Sequence, residues 1–351
     1  MKILLLGGTG AMGSHLCSIL SKRGCRVVIT SRKNRESKEL IEYRQGDAQD
    51  LDFLNALLAE KWDTIVDFMV YSEIEFNERA NKLLEATSQY IFLSSARVYD
   101  NSTEFITEKS TRLLDTTADS EYLQTDEYAL SKARQENILQ TSSKKNWTIV
   151  RPYITYSEIR LQLGTLEKEN WLHRAIHGRT IVFSEDIKNH LTTLTYGLDV
   201  SKAMSTLIGN SSALSEIYHI ASNASYRWDD ILNIYLDVLE KELGNRPKVM
   251  YQNLSDYFLW NPWKYQIIYD RLYDRKFDNS KINNLIETSD FLEAKDGIEK
   301  CLKSFLQDPI FNAINWKQEA IKDKITKDVT PLSEIKSIKQ KIKYILFRYF
   351  I

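Results

Sequence analysis

The chain has 351 residues, 43% of them apolar, which exceeds one average domain and is enough to bury a sizeable core. Lysine and arginine number 47 against 48 acids, so a formal charge of −1 gives no general electrostatic reason to expect nucleic acid as a partner. Cys17, Cys25 and Cys301 have no metal-ligand or redox spacing, which argues against a disulfide framework and fits a reducing cytoplasm, and no apolar run approaches the length that spans a bilayer.

Ile3 to Leu6 is a short continuous apolar run, expected of a strand buried on both faces. Gly7-Gly8-Thr9-Gly10-Ala11-Met12-Gly13 follows at once. Met12, Leu16, Ile19 and Leu20 then recur at helical spacing, Gly24 ends that helix, and Val27 to Thr30 makes a second strand. A glycine turn between strand and helix lets the backbone approach a pyrophosphate, and the helix N-terminus supplies unpaired N–H groups and a partial positive charge. Gly7, Thr9, Gly10, Ala11, Met12 and Gly13 are therefore read as a dinucleotide-binding turn. The alternative is a tight turn that needs glycine and binds nothing.

At the end of the second strand an acid would accept from both ribose hydroxyls and select NAD, whereas a nearby arginine accommodates a 2′-phosphate. Ser31 is not acidic and Arg32 and Lys33 are basic, which favours NADP slightly over NAD unless the two are ordinary solvated loop charges. Tyr43 to Asp47 is predicted as a third strand, ending in Gly46-Asp47-Ala48, with Asp47 placed to accept from an adenine amino group. A helix over 52–61, a strand over 64–70, a helix over 76–86 and a strand over 90–94 follow, the last closing on Ser94 and Ser95. This alternation indicates a doubly wound parallel sheet, an α/β fold.

Residues 100–125 are polar and without period, too long for a plain connection, and are expected to form a wall or lid over the site. Thr125-Asp126-Glu127 opens a predicted helix running through Tyr128, Lys132 and Ile138, and Thr148 to Val150 is a sixth strand. Beyond Pro152 the alternation loosens. Strands are expected over 181–183, 191–198 and 217–221, and helices over 199–208, with Asp199 as N-cap, and 228–243. The resulting division gives 1–155 and about 190–225 to a dinucleotide-binding domain, 156–189 and 226–315 to a smaller mixed substrate lobe, and 316–351 to a basic amphipathic tail.

Tyr128 and Lys132 lie four apart on one helix and so share a face. A lysine beside a phenol favours the phenolate, which makes Tyr128 a base at neutral pH. A serine hydroxyl at a strand end, such as Ser95, can hold a substrate oxygen while its proton leaves.

Taken together, GGTGAMGSHL at 7–16, GD at 46–47, FLSSARVYD at 92–100, YALSK at 128–132, RPYITY at 151–156, DV at 199–200 and KFDNSK at 276–281 resemble the extended short-chain dehydrogenase/reductases. Within them the match is to the NAD-dependent epimerase/dehydratase family acting on nucleotide sugars, over roughly residues 1–309. The resemblance implies a Rossmann-type sheet, Ser95, Tyr128 and Lys132 as the catalytic trio, and Ser95 and an arginine near Arg271 on the substrate. Tyr128 and Lys132 also meet the cofactor, with Ser31, Arg32, Asp47 and Ala48. The family's dehydratases carry an Asp-Glu pair where this chain has Ala96 and Arg97, which discounts a 4,6-dehydratase. The reading is a cytoplasmic nucleotide-sugar epimerase of polysaccharide biosynthesis, expected as a homodimer, with an NADPH-dependent keto-sugar reductase and a non-catalytic NAD(P)-binding regulator as alternatives. No metal is expected, because His173 and His177 have no obvious third ligand.

In the tail, Lys336, Lys339, Lys341, Lys343 and Arg348 occur without an acid, and Ile335, Ile338, Ile342, Ile345 and Tyr349 recur at helical spacing, with Phe350 and Ile351 adding apolar bulk. Such a helix either lies in a membrane interface or docks on its own lobe or a partner subunit.

Overall fold

The N-terminal apolar run forms β1 (Lys2–Leu6), an inner strand of a seven-stranded sheet in the computed structural model, which describes residues 1–350. The others are β2 (Arg26–Ser31), β3 (Ile41–Gln45), β4 (Trp62–Asp67), β5 (Thr87–Leu93), β6 (Trp147–Pro152) and β7 (Glu216–Ile220). Their order is β7-β6-β5-β4-β1-β2-β3, and every neighbouring pair is parallel. Parallel neighbours need crossovers. Here α1 (Gly13–Lys22), α2 (Leu51–Leu58), α3 (Glu73–Glu85), α4 (Tyr128–Thr141) and α5 (Gly197–Leu207) supply all but the link from β2 to β3, which is the helix-free segment 32–40. The strand order reverses between β1 and β4, so a crevice opens at their carboxyl ends.

Both faces of β1 are covered. Ile3 and Leu5 join a core with Leu16, Leu20, Met204 and Leu207, while Leu4 and Leu6 join one with Leu54, Phe76 and Leu83. Each such side chain contributes about 1.5–3 kcal/mol on burial. Helix starts are marked by polar caps. Asp50 accepts from Phe53 N–H at 2.8 Å for α2, and Ser72 with Glu75 forms a reciprocal capping box for α3.

The chain divides into two units. Residues 1–157, 193–224 and 275–294 form the first, built on the sheet. Residues 158–192, 225–274 and 295–351 form the second, with α6 (Trp228–Leu243), most of α7 (Ala294–Gln307), α8 (Trp316–Thr326), α9 (Ile338–Tyr349) and a short parallel pair of Ile181–Ser184 with Val249–Gln252. In the second unit the fully buried Arg174 binds Glu319 (2.9 Å), Asp323 (2.7 Å) and Asp328 (3.1 Å), and donates to Thr180 O at 2.7 Å. Lys322, equally buried, pairs with Glu319 and donates to Asn170 O at 2.7 Å.

Several expectations change. The strand over 191–198 is two separate two-residue strands, because Gly197 opens α5: a Cβ there would lie 2.4 Å from Ala11 O. Asp199 is not the cap of α5 but sits in its first turn, 1% exposed, accepting from Leu292 N–H at 2.8 Å and pairing with Lys202 at 2.8 Å. Residues 275–294, assigned by sequence to the second lobe, belong to the first unit, where Ile106 and Phe277 form a bridge. Residues 100–125 are tied to the rest of the first unit. Besides that bridge, Tyr99 pairs with Arg112, and Glu108 accepts from His219 N–H at 3.1 Å. The tail is integral to the second unit: Ile335 and Tyr344 are buried against Ala320. Ile351 lies outside the described residues.

Candidate active site

The turn after β1 is built by three glycines with different tasks. Gly7 has φ +69°, and its N–H donates to Thr30 Oγ1 at the end of β2, 2.9 Å away. A Cβ on Gly13 would meet Gly8 O at 2.5 Å, so only glycine lets α1 start this close to the turn. A Cβ on Gly10 would find nothing within 4 Å. That open cradle lies before α1, whose first N–H groups receive no side-chain cap. The residues fit a pyrophosphate, with Gly10, Ala11, Met12 and Gly13 as the anion-facing stretch. Two residues missed in the sequence brace the cradle from α5. Ser201 Oγ donates to Met12 O at 2.8 Å, and Gly197 touches Ala11. Their signal was a glycine two residues ahead of the DV pair.

A cleft of about 250 Å³ continues from this turn, and Gly7, Thr9, Ser31, Arg32, Asp47 and Ala48 are among the residues that line it. Ser31 turns its hydroxyl onto Lys33, donating to its carbonyl at 2.8 Å, while Arg32 stays exposed on the wall. Asp47 accepts from Gln49 N–H at 3.0 Å. Phe68, Met69 and Val70 also line the cleft and lie past the end of β4, although the sequence predicts strand through residue 70. The strand stops at Asp67 because its buried carboxylate accepts from Met69 N–H at 2.9 Å and from Tyr90 Oη at 2.8 Å, turning the chain. Burial raises the Asp67 pKa above the usual carboxylate range, against those donors and Lys132.

Helix α4 begins at Tyr128, its N-cap Glu127 accepting from Ala129 N–H at 2.7 Å. Tyr128, Lys132 and Glu136 are spaced by four and share a face. Lys132 is 2% exposed; its Nζ donates to Met69 O at 3.2 Å and lies 6.0 Å from the centre of the Tyr128 ring. Burial pushes its ammonium down to about 8, with Asp67 and Glu136 opposing. Ser95 follows β5, and its Oγ accepts from Arg97 N–H at 3.2 Å, leaving its own hydrogen to donate. Glu136, also missed, is fully buried and clamps α4 to the strand ends. It accepts from Ser94 Oγ at 2.6 Å, from Arg151 at 2.8 and 2.6 Å, and from Arg112 at 3.2 Å. Its signal was its place eight residues after Tyr128, with Arg151 in RPYITY.

The model of the NAD dependent epimerase/dehydratase family matches residues 3–221. The chain belongs to this family. Among solved structures it is similar to an epimerase from Methanothermobacter thermautotrophicus, at TM-score 0.69 and 16% identity over 88% of this chain and 92% of that one. It is also similar to a UDP-glucuronic acid 4-epimerase from Bacillus cereus in complex with UDP-glucuronic acid and NAD, at TM-score 0.64 and 18% identity over 88% and 99%. At these identities the likeness shows the fold. Among curated proteins, the chloroplast stem-loop binding protein of 41 kDa b from Arabidopsis thaliana is 29% identical over 248 residues; the match covers 66% of this chain and 61% of that protein.

Within this epimerase/dehydratase frame, the positions of the dehydratases' acid pair hold a fully buried Ala96 and an arginine. Arg97 stacks 5.3 Å from the centre of the Tyr128 ring and pairs with Glu127. Arg271 corrects an expectation. It is 1% exposed inside the second unit, paired with Asp270, donating to Gly164 O at 2.9 Å and set 5.6 Å from the Trp228 ring centre, so a substrate anion would have to compete with Asp270 for it. His173 and His177 do gain a third acidic neighbour, Glu334, with ligand atoms within 4.8 Å of one another. Arg179 already grips both oxygens of Glu334, at 2.9 and 3.0 Å, and is the cation of that cluster.

Proposed function

We propose that this enzyme is a nucleotide-sugar epimerase working through a keto-sugar intermediate. The observation that carries the reading is the face of α4: Tyr128 and Lys132 share it with Glu136, which binds Ser94 just past β5, and there is no acid pair at 96 and 97. A bound nicotinamide dinucleotide would supply the hydride acceptor and, after it, the donor. Tyr128 takes the proton of a sugar hydroxyl as the carbinol is oxidised and returns it when the opposite face of the ketone is reduced. Ser95 donates to the reacting oxygen throughout, and the charged Lys132 holds the phenolate form of Tyr128 within reach. The fixed wall over 100–125 keeps the intermediate from escaping. The substrate class is supported by the nucleotide sugar in the Bacillus cereus complex.

A second reading, an NADPH-dependent keto-sugar reductase, is favoured by Arg32, the group on the cleft wall that would meet a 2′-phosphate. The two separate by absorbance of reduced nicotinamide during turnover of a nucleotide sugar: an epimerase leaves it unchanged, and a reductase consumes it mole for mole. Epimerisation without net change, lost in Tyr128→Phe, supports the proposal; stoichiometric oxidation of NADPH replaces it.

A further inference from the structure

Helix α9 docks through Tyr344, Ile345 and Phe347, which pack with Ile335, Ala320 and Trp316, and it leaves a second apolar strip outside. Tyr344 donates to Asp323 Oδ2 at 2.7 Å and accepts from Thr330 N–H at 3.0 Å, and Arg348 donates to Asp328 O at 3.1 Å. On the other side Ile338, Ile342, Leu346 and Tyr349 are 76, 62, 43 and 58% exposed, and Phe350 just beyond is 77% exposed. At three- and four-residue spacing they form one strip along a helix about 18 Å long. The helix therefore carries apolar residues on two sides, of which only the inner one is covered. Lys339 and Lys343, both exposed, edge the strip on one side and the half-buried Lys341 on the other, with exposed Lys336 just before the helix. No acid lies between 335 and 350.

Charge decides what can cover this face. A second copy meeting it about a two-fold axis would set lysines against lysines. An anionic lipid surface satisfies both features: headgroups meet the lysines, and the strip enters the acyl boundary. No described helix is long and apolar enough to cross a membrane, so contact is along the surface. We propose that α9 is a docking face for an anionic lipid interface. The proposal rests on α9 alone and is independent of the epimerase reading.

The test is co-sedimentation of the full chain with vesicles of phosphatidylcholine, alone or with about one third phosphatidylserine. Binding to the anionic vesicles is expected at least about tenfold tighter than to the neutral ones and weakened by salt. The double variants Ile342→Asp with Leu346→Asp, and Lys339→Glu with Lys343→Glu, change exposed side chains only. Each should lose vesicle binding while melting temperature and turnover stay at wild-type values. Equal binding to both vesicle types, or full binding by either variant, overturns the proposal. So does conversion of a dimer to a monomer by the aspartate pair, or binding of a stem-loop RNA through these lysines without vesicle binding.

Discussion

At the scale of single residues the proposed chemistry turns on Tyr128 and what surrounds it. Tyr128→Phe keeps the ring that Arg97 stacks on and removes the proton carrier. Turnover should fall about 10²–10⁴-fold with cofactor affinity nearly unchanged, measured by steady-state kinetics and fluorescence titration. Lys132 sets a pH limit. Its folded pKa of about 8 means the ammonium is present at neutral pH and lost as pH rises through that value. Cofactor affinity should therefore fall on the alkaline side of about 8, and Lys132→Met should bind weakly with that dependence gone; calorimetric titration across pH measures both. Arg32→Ala should weaken NADP more than NAD, and equal changes for the two would remove the basis for a 2′-phosphate contact. Ser95, Tyr128 and Lys132 can be proposed from the sequence because each sits at a fixed offset from a strand end or helix start. Glu136 was not, since a glutamate in a helix reads as solvated until Ser94, Arg112 and Arg151 are seen to converge on it. Arg271 failed for the opposite reason: sequence gives an arginine's charge but not the aspartate beside it inside the lobe.

At the scale of elements, two ion networks hold helices that apolar contacts alone leave loosely specified. Glu136 joins α4 to the ends of β5 and β6, and removing its charge leaves Arg151 buried without its partner. Glu136→Gln should cost about 3–5 kcal/mol of unfolding free energy and lower turnover more than it raises KM; denaturant unfolding and kinetics test the two parts. In the second unit, Lys322 is pushed down to about 8 by burial. Between that value and the ordinary lysine pKa the unfolded chain binds a proton the folded chain has released, so this group makes stability rise with pH across the window and contributes no pH dependence below it. Lys322→Met should flatten that rise, read as the change in melting temperature between about pH 7 and about pH 9.5. The strands and helices of the first unit were predictable because buried parallel strands are continuous apolar runs and their helices carry a clear period. The 191–198 run misled because an apolar stretch does not reveal the close approach at Gly197 that ends extended structure and starts α5.

For the whole molecule, the order of the chain differs from the order of the fold. The sheet unit takes its pieces from residues 1–157, 193–224 and 275–294, with the second unit threaded between them. Composition could hint at a discontinuous second lobe but not at the return of 275–294, which depends on Ile106 meeting Phe277 far away in sequence. This threading has a consequence for synthesis. Six of the seven strands have been made by Pro152, yet β7 and the segment bridging Phe277 leave the ribosome later. At about 5–20 residues per second the nascent sheet waits roughly 3–14 seconds for β7 with the edge of β6 open, and roughly 6–25 seconds for Phe277. An open parallel edge is a template for pairing with another chain. A chain ended at Ala224 would hold the whole sheet and the whole glycine turn but not the last piece of its own unit, and should be recovered as aggregate, whereas one ended after α7 gains soluble yield. Translation slowed over 158–215 would lengthen the exposure and lower yield from the same gene, which pulse-labelling of nascent chains can follow.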